Sequence, residues 1–341
     1  MEYIKVTSAN IEKEYIWSAL SNNGEVYERN RSEMLYRNNG KTYIKTDLEA
    51  VITSYNQGNM ILEAVQSICN QTLLPERIIV VDDGSTDQYS LDILNSIKND
   101  VNLPVPITVY FQENQGVSAA RNTGINKTQS SMVLILDGDD KLEAGYIENV
   151  SELLSKSPDM VIASSWMRTF GVLDAVVCPS GGTIVPFLSH NCCPATHILR
   201  KKFYEQCGGY DESMCSGFED WDFFLSMLET TPEACIGIVE KPLINYRTAP
   251  ASANIKSMDK RRELMRYIIE KHNCSYRNNI TDVLLDIETI SNSRLLGWEN
   301  EIIHSINHHQ ELSQLSASFI KNPSYGDGGM ASAVRIASVA R

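Results

Sequence analysis

The chain lacks the long apolar runs of a membrane protein: no stretch approaches the roughly 20 consecutive apolar residues that a bilayer requires. Its first residues, MEYIKVTSANIEKEY, contain no apolar signal-peptide core, so the expectation is a cytoplasmic protein without a transmembrane segment. Basic residues are also scarce. With 30 Lys and Arg against 43 Asp and Glu the formal charge is −13, a field that repels nucleic acid and anionic membranes. A phosphate-bearing ligand must therefore be managed locally, by a cation or a few placed side chains. The 8 cysteines include no CxxC pair, which argues against a zinc site or a secreted disulfide framework and leaves reduced, mostly buried thiols as the expectation. Neither GxGxxG after the first strand nor GxxxxGK[ST] occurs, so the dinucleotide fingerprint and the P-loop are both excluded. No internal repeat is present.

What is present is a core of ordinary size. The 341 residues are 43% hydrophobic, enough for one large domain or two smaller ones. Residues 1–46 read as a polar, helix-like extension with a turn at Asn38 to Gly40. From Leu48 the pattern changes to short β-branched runs alternating with helical periodicity: LEAVITS, MILEAVQSICNQT, RIIVVDD, SLDILNSIKND, ITVYFQEN, VSAARNTGINKT and SMVLILD. Strands alternating with helices at this spacing predict an α/β fold, a mostly parallel sheet flanked by helices, with ligands at the carboxyl ends of the strands. The expected organisation is an extension over 1–46, a catalytic-type domain over 47–250, a helical C-terminal region over 251–320 and a flexible tail over 321–341. Within the second half, AGYIENVSELLSKS reads as a helix and DMVIASSWMRTF as a strand. Residues 178–198 read as a long Gly/Pro-rich loop running into HILRK. GGYDESMCSGFEDWDFFLSMLE reads as a turn and a helix with Phe223, Phe224, Met227 and Leu228 on its apolar face.

The most informative segment is LILDGDDKL, residues 134–142. A buried-type strand there ends in Asp137, Asp139 and Asp140 within four positions. Carboxylates that close repel one another, and a hard divalent cation or a retained proton relieves the repulsion. Two other strand ends carry polar groups, at Thr53 to Asn56 and at Asp82 and Asp83, so three strands aim polar side chains at one rim. Glu219 and Asp220 open the GFEDWDFF helix, where acids complement the helix dipole or serve chemistry.

In order, the series VITSYNQGNMILEAVQSICNQT, IIVVDDGSTD, NQGVSAARNTGI, LILDGDD and GGYDESMCSGFEDWDFFL resembles the inverting family 2 glycosyltransferases, which have the GT-A nucleotide-sugar fold. The resemblance spans about residues 48 to 248. It implies that Thr53, Tyr55, Asp83, Arg121, Asp137 and Gly138 line the nucleotide-sugar pocket, with a UDP-sugar as donor. It further implies that Asp139 holds Mn²⁺ or Mg²⁺ and that Asp220 is the general base. Glu219 is the runner-up base, Asp222 points away, and Asp82 caps a loop. Asp140 and His197 are candidate acceptor or secondary contacts, and Trp221 either floors the acceptor or packs in the core. Relatives often place a His two residues beyond a Tyr-Arg pair; here Tyr246 and Arg247 are followed by Thr248 and Ala249, so either metal affinity is weaker or His197 or another group substitutes, although a histidine there is more often an ordinary strand-end residue. The acceptor implied is a glycan, a lipid-linked glycan or a peptide side chain, with residues 178–198 as part of its wall and self-association through the C-terminal helices. A nucleotidyltransferase and a nucleotide-sugar-binding scaffold without turnover are the alternatives.

Overall fold

The structure, a computed structural model, describes residues 25–28, 34–38, 41–44, 46–100, 103–248 and 259–308. It begins with β1 (Glu25–Glu28), β2 (Met34–Asn38) and β3 (Lys41–Ile44), an antiparallel sheet of that order. This corrects the helix-like reading of that stretch. Glu25–Glu28 and Lys41–Ile44 each pair antiparallel with Met34–Asn38, and the β-branched and aromatic residue types in these segments favour strands over the weak local helical pattern. The expected turn falls between Asn38 and Lys41, which pair directly. The tail at 321–341 lies outside the described residues.

The main body follows the alternation expected from Leu48 onward. It runs β4 (Leu48–Ser54), α1 (Met60–Cys69), β5 (Ile78–Asp82), α2 (Gln88–Lys98), β6 (Ile107–Phe111), α3 (Val117–Lys127) and β7 (Met132–Asp137). β4 pairs in parallel with β5 and β7, and β5 with β6. Because side chains alternate along a strand, Leu48, Ala50 and Ile52 join the core under α1 and α2, whereas Val51 faces α3. Every residue of β4 and β5 is buried, as expected of strands covered on both faces.

Beyond β7 short antiparallel strands enter the sheet, while its long pairings, β9 with β12 included, stay parallel as expected. The chain continues through β8 (Lys141–Leu142), α4 (Tyr146–Ser155), β9 (Met160–Gly171), β10 (Val176–Val177), α5 (Ile184–Ser189), β11 (His197–Arg200), α6 (Lys201–Cys207), α7 (Glu219–Leu228) and β12 (Cys235–Thr248). The strand order is β6-β5-β4-β7-β11-β9-β12-β8, with β10 beside β9. β11 is antiparallel to both β7 and β9, so one short reversed strand sits between two strands that run in the same direction. The segment 178–198 is less irregular than its Gly/Pro content suggests, since it holds α5. Among the described cysteines none forms a disulfide, and only Cys192 and Cys193 are buried, fewer than expected.

Two helices, α8 (Arg261–Lys271) and α9 (Asn273–Asn278), complete the first compact unit, which runs to Asn279, past the boundary read at 250. They dock on α7 through charge. Asp222, fully buried, accepts from Lys271 at 2.8 Å and bonds His272 Nε2 at 3.0 Å, while His272 Nδ1 lies 2.9 Å from Glu229. The second unit is described over α10 (Ile280–His308), where Val283 is buried but Leu284 and Ile287 are exposed. No helix among the described residues is long and apolar enough to cross a membrane.

Two expectations concern stability. A Cβ at Gly124 would overlap Val51 Cγ1, so α3 lies against the sheet only because that position has no side chain. Gly124→Ala should lower stability by about 1–3 kcal/mol through overpacking, read as a fall in Tm; an unchanged Tm would show that α3 is not close-packed there. Burial disfavours the His272 cation, but its bonds to Asp222 and Glu229 outweigh that and hold its pKa above the usual value. A raised pKa means that this contribution is complete below the ordinary histidine value of about 6.5 and is lost as pH rises through the folded-state value. Denaturant midpoints measured across that range should fall with pH in the wild type and flatten in His272→Gln; parallel profiles would remove His272 as the cause.

Candidate active site

The site forms where β4 and β7 end side by side. Their register pairs Thr53 with Asp137. Thr53 Oγ1 donates to Asp137 Oδ1 at 3.2 Å, and the Gly138 N–H donates to the Thr53 carbonyl at 2.9 Å. A Cβ on residue 138 would stand 2.6 Å from that carbonyl oxygen, so the strand end tolerates only glycine in this arrangement.

From α3, Arg121 reaches across to this rim with a side chain only 2% exposed. Its Nη2 donates to both Asp137 oxygens, at 2.9 and 3.1 Å. Its Nη1 donates to Asp220 at 2.5 Å and lies 3.4 Å from Glu219, and the Tyr210 ring lies 5.3 Å from the guanidinium. One cation thus joins a strand-end acid to the two acids that open α7. Burial opposes the charge on Arg121, but Asp137 and Asp220 outweigh it and hold its pKa well above the ordinary value. For Asp220, burial is the largest influence; Arg121 opposes it and the nearby acids reinforce it, leaving the carboxyl at about 7. A carboxylate poised near neutrality can exchange a proton at working pH.

The DGDD turn is fastened from the opposite side. The Arg247 backbone N–H donates to Asp140 at 2.8 Å, its Nε to the Asp139 carbonyl at 2.9 Å, and its Nη2 to Glu63 at 3.0 Å. The guanidinium also sits 4.5 Å from the Phe170 ring centre. Asp140 is 2% exposed, and burial together with repulsion from Asp139 and Asp137 raises its pKa well above normal. Asp139 is raised to about 6 by burial and by Asp137. Among the described residues no three Asp, Glu, His or Cys side chains converge as a metal cage. The donor set nevertheless fits a divalent ion: Asp139 is a hard oxygen ligand whose ionisation its surroundings oppose, and such ions commonly take one or two carboxylates and complete their shell with ligand phosphates and water.

Several expected residues do other work. Asp83 accepts from Gln112 Nε2, Gln115 N–H and Gly116 N–H at 2.8, 3.0 and 2.8 Å, so it shapes the 112–116 loop leading into α3. Asp82 accepts from the Ser85 N–H and hydroxyl, the expected loop cap. Tyr55 is 47% exposed beside the rim. His197 is wholly buried against Phe223 and Phe224, its Nδ1 bonded to the Ala195 carbonyl, and burial lowers its pKa to about 3. The ring is a neutral core group, which favours the ordinary strand-end reading of His197. Trp221 takes the packing role of its two readings, being 3% exposed with its Nε1–H donating to the Phe187 carbonyl at 2.6 Å. Asp222 points away from Arg121, as expected.

The residues that sequence reasoning missed are Glu63, Tyr210 and the fastening role of Arg247. Arg247 drew notice only for the residues that follow it, and nothing in the sequence places it beside Asp139 and Asp140, more than a hundred positions earlier. The segment 178–198 does line a cavity of about 390 Å³, with Met167, Val177, Pro179, His190, Cys193 and Pro194 in its wall. Asp220 is near enough to raise the Cys193 thiol further, after burial.

Residues 49–177 match the glycosyl transferase family 2 model. The chain is 26% identical over 225 residues to an Escherichia coli UDP-Gal:alpha-D-GlcNAc-diphosphoundecaprenol beta-1,3-galactosyltransferase, covering 63% of this chain and 76% of that one. It is 33% identical over 104 residues to a cholesterol galactosyltransferase of Borreliella burgdorferi, where the match spans 30% of this chain and only 28% of the relative. Among solved structures, S. aureus TarS 1-349 in complex with UDP-GlcNAc aligns with TM-score 0.52 at 18% identity, over 65% of each chain, a likeness of fold. The acid-ended β7 and four of the five ordered motifs fall within residues 49–177, the segment in which this chain is similar to glycosyl transferase family 2.

Proposed function

We propose that the protein transfers a sugar from a nucleotide-sugar, a UDP-sugar by analogy with its relatives, to an acceptor hydroxyl with inversion at the anomeric carbon. The single observation that carries this reading is the Arg121 bridge. It sets Asp220, a carboxyl at about 7, beside the strand-end Asp137. In the reaction the acceptor O–H gives its proton to Asp220 while its oxygen attacks the anomeric carbon. The bond from that carbon to the diphosphate oxygen breaks, and its electron pair leaves with the nucleoside diphosphate. One displacement from the face opposite the leaving group inverts the configuration.

Thr53, Asp137 and Gly138 shape the rim on which the donor rests, and Arg247 holds the DGDD turn against it. A divalent ion, Mn²⁺ or Mg²⁺, held by Asp139 would supply positive charge to the departing diphosphate. A protein this acidic offers little other charge for that purpose. For the acceptor, the cavity beside Cys193 supports the 178–198 wall, and the E. coli relative's polyprenyl-diphosphate sugar favours a lipid-linked glycan for the first trials.

Two variants test these assignments. Wild type should gain thermal stability from a UDP-sugar with Mn²⁺ and lose that gain with a chelator, and Asp139→Asn should show no metal-dependent gain. An unaltered shift in Asp139→Asn would overturn the metal assignment. Asp220→Asn should keep the donor-induced shift while transfer falls by about 10²–10⁴-fold, the usual worth of a general base. In the wild type, kcat should decline as pH falls below about 7, because only the deprotonated carboxylate accepts the proton. Near-normal turnover by Asp220→Asn would remove it as the base. Donor binding by wild type without transfer to any glycan, lipid-linked or peptide acceptor would favour a scaffold.

A further inference from the structure

The family resemblance directs Arg121 at the donor, but its surroundings direct it elsewhere. The guanidinium is almost wholly enclosed, with Nη2 committed to Asp137 and Nη1 to Asp220 and Glu219. Nε is buried without a hydrogen-bond partner, and the Tyr210 ring lies beside the group. We propose that Arg121 is a positioning residue that acts through Asp220 and Asp137 and makes no contact with the donor diphosphate. This rests on Asp220 being the base.

The fold explains why the base needs such a tie. Asp220 lies in the first turn of α7, whose N-cap residue Phe218 has φ of 66° and supplies no side-chain cap. The preceding Gly217 also has positive φ, 108°. The approach to the base is therefore a left-handed turn without a side-chain cap, held at its surface by Lys260 on Ser216 and by Arg261 over the Phe218 ring, while the donor rim lies on β7. Arg121, from a third element, bonds both at once. Its planar fork presents two fixed pairs of N–H groups, so setting one carboxylate sets the other; a lysine ammonium supplies the charge without that geometry. Displacing a reacting group by about 1 Å costs on the order of 100-fold in rate, so holding the base is a kinetic function even without substrate contact.

The test uses the full chain and four variants: Arg121→Lys, Arg121→Met, Arg121→Ala and Asp220→Asn. UDP affinity is measured by calorimetry with Mn²⁺, and kcat and donor KM across pH. Arg121→Met should lose about 100-fold in kcat while UDP affinity and donor KM change by less than about threefold. Its acidic limb in kcat should move upward, because Asp220 loses the cation that opposes its burial. Arg121→Lys should restore the limb but not the full kcat, and methylguanidinium should raise turnover in Arg121→Ala. A loss of UDP affinity in Arg121→Met with its limb unmoved would place Arg121 on the diphosphate and overturn the proposal, as would a wild-type kcat. If Arg121→Met fails to fold, the same split between kcat and UDP affinity is read in Arg121→Lys, which keeps the charge. Near-normal turnover in Asp220→Asn would instead bring down the base assignment itself. An inactive Asp220→Asn beside an unmoved limb in Arg121→Met would bring down only the positioning role.

Discussion

The ion pairs of Arg121 are the constraint on which the site depends. A guanidinium that buried persists because carboxylates from β7 and α7 surround it, and those carboxylates tolerate one another because it lies between them. Removing the cation would leave three acids close together in a poorly solvated space. Breaking a buried pair of this kind commonly destabilises by about 3–5 kcal/mol, so the cluster links stability and chemistry in one set of contacts. It also joins elements that the backbone leaves far apart: Arg121 and Asp220 are 99 positions apart.

The acids at the rim divide by how their charge is balanced. Asp83 is satisfied by three donors from the 112–116 loop, and Asp222 by Lys271 and His272, so both are structural anchors. Asp139 and Asp220 are not balanced so fully. Their pKa values rise to about 6 and about 7 because burial exceeds the favourable interactions around them. That residual imbalance suits a group that must hold a cation or take a proton, since the ligand completes what the protein leaves incomplete.

Much of the sheet was readable in advance. The runs at Leu48, Ile78, Ile107 and Met132 are short, apolar and separated by helical periodicity, and each became a strand of the parallel half. The part of the sheet beyond β7, with its short antiparallel strands, was less readable. β11 has only four residues, and its insertion between β7 and β9 depends on pairings with strands far away in the chain. The N-terminal strands are hard to read for a related reason: each is only four or five residues long and is defined by its pairing with a neighbour rather than by a pattern of its own.

Local chemistry was enough to read the family resemblance, the acid-ended strand and the opposed polarity of α7, because those follow from residue type and short-range spacing. Asp222 pointing away from Asp220 was legible too, since helical geometry turns residues two positions apart to different sides. Partner choice was not legible. Whether Trp221 and His197 face a ligand or the core, which acids Arg121 binds, and how Arg247 reaches the DGDD turn are decided by packing among distant segments. Burial and charge pairing depend on every element that closes over a side chain, and only the folded chain brings those elements together.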